Sequence, residues 1–60
     1  MERMTEFRIG DVVCHKVNTA KKKWGFGIVK GYNPHFGLYN VVWFDGKERR
    51  HTIELLKRIA

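Results

Sequence analysis

The sequence predicts a small all-β domain: an SH3-like or Tudor-like barrel of about five antiparallel strands, with one short helical turn before the last strand. Three observations lead there. Short runs of β-branched and aromatic residues alternate with turn residues along the chain. Six glycines, each costly inside a helix, are spread through it. The apolar residues do not recur at helical spacing. Sixty residues hold a single domain. The expected organisation is a flexible lead-in over 1–6 and one barrel over 7–60.

The elements follow in order. Arg8-Ile9-Gly10-Asp11 reads as a turn feeding a first strand over Val12–Val17, where Val12 and Val13 supply β-branched residues. Asn18–Lys23 is polar and basic and reads as a loop. Trp24–Tyr32 reads as the second strand. Asn33-Pro34-His35-Phe36-Gly37 is a cluster of turn residues. Leu38–Phe44 (Leu-Tyr-Asn-Val-Val-Trp-Phe) is the strongest strand signal in the chain. Asp45-Gly46 then accepts the positive φ of a tight hairpin, and Glu48–Thr52 returns as the fourth strand. Ile53–Leu56 makes one helical turn, too short to stand alone, and Lys57–Ile59 closes the fold.

Charge is the strongest global feature. Twelve Lys and Arg against six Asp and Glu give a formal +6, with a sequence pI near 9.9. A small domain this basic concentrates polyanions around itself, and nucleic acid, DNA or RNA, is the expected partner. A sixty-residue chain buries only about 60% of its unfolded surface. That leaves no room for a packed core beside a catalytic cleft, and a non-enzymatic binding module is expected. Cys14 is the only cysteine, which excludes an intrachain disulfide. No apolar run reaches the length of a membrane span, so a cytoplasmic protein without a membrane partner is expected.

Taken together, Gly10-Asp11-x-Val13-x-His15, Trp24-Gly25-x-Gly27-x-Val29, Val41-x-Trp43-x-Asp45-Gly46 and Leu56-x-x-Ile59 resemble a Tudor-like barrel. They are similar to the small carboxy-terminal domain of UvrD/PcrA-type helicases and to the RNA-polymerase-binding domain of CarD-type transcription regulators. The resemblance covers Phe7 to Ile59 and implies a role in transcription regulation or on DNA, by docking on RNA polymerase or by contacting nucleic acid. The connection Asn18–Lys23 is longer and more basic than that pattern has. A second run, Lys23-Trp24-Gly25-Phe26-Gly27-Ile28-Val29, resembles the Lys-Gly-Phe-Gly-Phe-Ile stretch of cold-shock domains.

Two surfaces are expected. Lys21, Lys22 and Lys23 beside Trp24 combine phosphate-seeking cations with an aromatic ring able to stack on a base. Lys30 and Arg49 or Arg50 would add charge, although strand alternation puts Arg49 and Arg50 on opposite faces. Alternation also turns Val13, His15, Val17, Val29, Val41 and Trp43 inward, and Val12, Cys14 and Lys16 outward. It leaves Phe26, Ile28, Val42 and Phe44 on a shared outer surface. Such a patch suits a protein partner, unless Met4 and Phe7 cover it, and the chain is expected as a monomer or a weak homodimer. His15, His35, His51 and Cys14 lack the paired spacing of a zinc site. Gly25-x-Gly27 lacks the following helix of a phosphate-cradling loop, and Asp11 and Asp45 read as turn residues. Neither a metal nor a cofactor is expected.

Overall fold

The computed structural model describes residues 7–59; the lead-in expected over 1–6 lies outside the described residues, as does residue 60. Five strands form one antiparallel sheet: β1 Val12–His15, β2 Phe26–Asn33, β3 Leu38–Trp43, β4 Glu48–Thr52 and β5 Leu56–Arg58. Their order across the sheet is β4-β3-β2-β1-β5. A helix, α1 (Asn18–Trp24), joins β1 to β2, and a 3₁₀ turn, η1 (Ile53–Leu55), joins β4 to β5. The sheet, its antiparallel pairing and the helical turn before the last strand are those the sequence predicts.

Alternation builds the core. Val13, Val29, Val41 and Trp43 point to one face and are almost completely buried, with Tyr39 and Leu56 beside them. Burying side chains of this size contributes about 1.5–3 kcal/mol each. Phe7, Trp24 and Ile53 pack over this cluster from the chain start, α1 and η1. Gly27 makes the arrangement possible. It lies opposite Trp43, and a Cβ there would run into Val41 Cγ1 and come within 2.7 Å of Trp43 Cε3. The missing side chain is the space the indole fills. A bulge between Val29 and Gly31 then re-aims the far half of β2.

The turns are built as the residue types suggest. Asp45 Oδ1 accepts the Lys47 N–H at 3.0 Å, and Gly46 takes φ +87°. Asp11 Oδ2 accepts the Arg8 N–H at 2.8 Å, and the Gly10 N–H bonds to Val29 O.

Four expectations are corrected. Asn18–Lys23 is helical rather than a loop. It contains no glycine or proline, Ala and Lys are good helix formers, and the three lysines lie in the last turn, where the helix dipole favours cations. Gly25, at φ +69°, ends the helix and donates its N–H to Lys21 O at 2.9 Å. β1 therefore stops at His15, and Val17 is exposed at the helix start instead of facing inward. For the same reason β2 begins at Phe26, and Trp24 belongs to the helix. Cys14 is on the outer side by alternation yet buried, because its cross-strand neighbours are Phe26 and Lys57. The remaining bounds move by a residue: β2 reaches Asn33, β3 stops at Trp43, and β5 takes Leu56 from the helical turn.

Candidate nucleic-acid interface

The outer face of the sheet is assembled by register. Ile28 stands opposite both Val12 and Val42, and Cys14 stands between Phe26 and Lys57. Phe44 lies one residue past β3. Its N–H donates to Phe26 O at 2.8 Å and to Trp24 O at 3.1 Å. Cross-strand neighbours share a face, so two rows run across the strands. One is Phe44, Phe26, Cys14, Lys57. The other is Glu48, Val42, Ile28, Val12, and it is extended by Ile59, whose N–H bonds to Val12 O at 2.8 Å.

Much of this apolar surface faces solvent. Phe44 is 87% exposed, Phe26 57% and Ile28 47%. The four residues expected to share an outer surface do share one. Phe7 does not cover it: its ring packs edge-on to Tyr39, at 5.3 Å, within the core cluster. Met4 lies outside the described residues. Sequence reasoning missed Ile59 as a continuation of the patch. The signal was available, because pairing β5 with β1 puts Ile59 opposite the outward-facing Val12.

The basic residues divide into two groups. Lys21, Lys22 and Lys23 are exposed on α1, whose last residue contributes the carbonyl that binds the Phe44 N–H. The lysine helix and the ring of Phe44 therefore meet at one end of the sheet. Lys30 sits at the bulge of β2, and Arg50 lies opposite Asn40 on β4; both are exposed and border the apolar rows. Arg49 belongs to the other face, opposite Val41, as alternation requires. Its guanidinium grips Asp45 through both carboxylate oxygens, at 2.9 and 3.2 Å, and lies 4.2 Å over the Trp24 ring. The Asp45 carboxyl is held below the usual carboxylate range, first by the Arg49 hydrogen bond and then by the Lys47 N–H.

Trp24 is half-buried rather than projecting beside the lysines. Its ring packs with His15 at 5.4 Å, Trp43 at 5.5 Å and His51 at 5.5 Å, beneath Arg49. Within this group the Trp43 indole N–H donates to His51 Nε2 at 3.2 Å. The exposed rings next to the lysine helix are thus Phe44 and Phe26.

Among the described residues, no cluster of three or more His, Cys, Asp and Glu side chains is placed to hold a metal ion. No helix among them is long and apolar enough to cross a membrane. No protein-family model, curated protein or solved structure matches the chain.

Proposed function

We propose that this chain is a non-enzymatic, nucleic-acid-associated binding module that engages DNA or RNA where helix α1 meets the outer face of the sheet. The carrying observation is the pairing of exposed rings with lysines: Phe44 and Phe26 stand side by side, and Phe44 is hydrogen-bonded to the end of the helix that carries Lys21, Lys22 and Lys23. Rings on an open face supply stacking platforms, and lysines track the phosphates. Lys30 and Arg50 border the same face. Trp24 acts from behind, as the side chain that packs the lysine helix against the core. A cytoplasmic location and a part in transcription fit this reading through the resemblance to Tudor-like barrels of helicases and transcription regulators.

The test is a fluorescence-anisotropy titration of labelled single- and double-stranded DNA and RNA at low and at physiological salt. Because both tryptophans lie within the fold, the label goes on the oligonucleotide. Binding is expected to fall steeply with salt, with Lys21→Ala and Lys23→Ala each lowering the salt slope by about one. Phe44→Ala and Phe26→Ala are expected to weaken it about tenfold each. No binding to any strand at low salt rejects the reading.

One observation favours a second reading. The apolar rows continue past the rings through Ile28, Val42 and Val12 to Ile59, farther than base stacking requires. A face of that kind suits docking on a protein, such as RNA polymerase or another nucleic-acid machine. Docking of this kind depends little on salt. It is lost in Ile28→Ser and unchanged in Lys21→Ala.

A further inference from the structure

Helix α1 is packed on the core through one side chain. Its seven residues fall short of the roughly 12–15 at which an isolated helix becomes even marginal in water. Val17, at its start, offers no side-chain cap, and none of its residues is fully buried. Among the described residues, Trp24 is the one α1 side chain packed on the core cluster.

That side chain rests on two imidazoles. The rings of His15 and His51 lie 5.0 Å apart and within 5.5 Å of the Trp24 ring. Each uses a bare nitrogen as an acceptor inside the fold. His51 Nε2 takes the Trp43 indole N–H, and His15 Nδ1 takes the Val17 N–H at 3.0 Å. A neutral imidazole has one such nitrogen, and protonation removes it. Adding a proton therefore sets N–H against N–H at the joint between the sheet and α1.

We propose that His15 and His51 form a proton-operated latch: protonation expels Trp24 and releases the helix bearing Lys21, Lys22 and Lys23, while the five-stranded sheet stays folded.

The surrounding charges favour release. From β1 comes His15; from β4 come His51 and Arg49. Asp45, in the β3–β4 turn, is committed to Arg49. β3 contributes uncharged Trp43 and Tyr39, the latter opposite His51, and β5 contributes Leu56 opposite His15. Lys16 follows His15 in sequence, and α1 brings its three lysines. Among the described residues, no carboxylate forms an ion pair with either imidazole. Two imidazolium ions would then face each other beside Arg49, and the one nearby carboxylate, Asp45, is already paired with that arginine. Burial already holds both rings below the ordinary imidazole value, and for His51 the charges of His15 and Arg49 act in the same direction. The latched form binds fewer protons than the released form, so acid drives opening.

The sheet has reason to survive. The Phe44 N–H that loses Trp24 O keeps Phe26 O, and the strand ladders do not pass through α1. Val13, Val29, Val41 and Leu56 remain buried against one another.

The experiment is residue-resolved amide exchange by NMR on the full chain, from about pH 7.5 downward until both imidazoles, whose values lie below the ordinary one, have titrated. Imidazole proton shifts are followed to show when each ring titrates. Protection factors for Lys21–Gly25, whose N–H groups make the helical bonds, are expected to fall at least tenfold in acid while those of β2 and β3 hold. His51→Gln, whose side-chain oxygen accepts the Trp43 N–H at any pH, is expected to shrink the acid loss; His15→Gln is the independent second variant. The latch is overturned if α1 and the sheet lose protection together. It is also overturned if α1 keeps its protection after both rings have titrated.

Discussion

The two faces of the sheet are made from the same alphabet and have opposite fates. On the inner face, Val13, Val29, Val41 and Trp43 alternate into a buried cluster covered by Phe7, Trp24 and Ile53. On the outer face, Val12, Phe26, Ile28, Val42 and Phe44 alternate into a surface that no described element covers. Apolar content does not separate them, and neither does strand propensity. What separates them is where the connections go: α1 and η1 close over one side only. In a chain this small there is enough non-sheet structure to cover one face. The covered face then provides stability, and the open one is where we propose that a partner binds.

This contrast can be broken from either side. The largest effect is expected at Trp43→Ala, which empties the centre of the inner face at a cost of about 3–5 kcal/mol. For a domain with only about 5–15 kcal/mol to lose, and at the low end of that range by its size, denaturant titration should show a chain largely unfolded. Gly27→Ala comes next. It adds one methyl where Val41 and Trp43 already meet, and overpacking of this kind costs about 1–3 kcal/mol by the same measurement.

Acid should act on the inner face alone. His15 and His51 have folded-state values below that of the unfolded chain, so their contribution is fully present above about pH 6.5 and is lost as pH falls below it. The denaturation midpoint should therefore drop between pH 7 and pH 5, and drop less in His51→Gln. The smallest effect on stability is expected on the open face. Phe44→Ala should change unfolding by no more than about 0.5 kcal/mol, while binding to the partner falls about tenfold. If Phe44→Ala destabilised the fold as Trp43→Ala does, the division of labour between the faces would be wrong.

The parts of the fold set by local pattern were legible. Val29, Val41 and Trp43 declare their direction by alternation, and Asp45-Gly46 declares its turn. Arg49 and Arg50 fall on opposite faces as period two demands. Helix α1 was not legible, because Asn-Thr-Ala-Lys-Lys-Lys carries no apolar stripe and so looks like a solvated loop. It is held instead by Trp24 at its very end. The same ambiguity hid the role of Trp24: read as the start of a strand it projects beside the lysines, and read as the end of a helix it turns into the core. The proximity of His15 and His51 depends on how β1 and β4 meet across the core, and nothing between residues 15 and 51 encodes that locally. Val17 faces solvent for the neighbouring reason that the strand ends two residues earlier than its β-branched character suggests.

Among the described residues, the strand order leaves β4 and β5 with one neighbour each, at the two edges of the sheet. Such edges invite further chains to add on. Here β4 carries Glu48, Arg49 and Arg50, and β5 carries Lys57 and Arg58. Joining two copies edge to edge would bring arginines and lysines together on molecules that each carry a formal +6. Mutual repulsion thus guards the ends of the sheet against fibre-like growth, and that guard weakens as salt screens it. Concentrated solutions of this protein should stay clear at low ionic strength and scatter light as salt is raised, the reverse of ordinary salting-in.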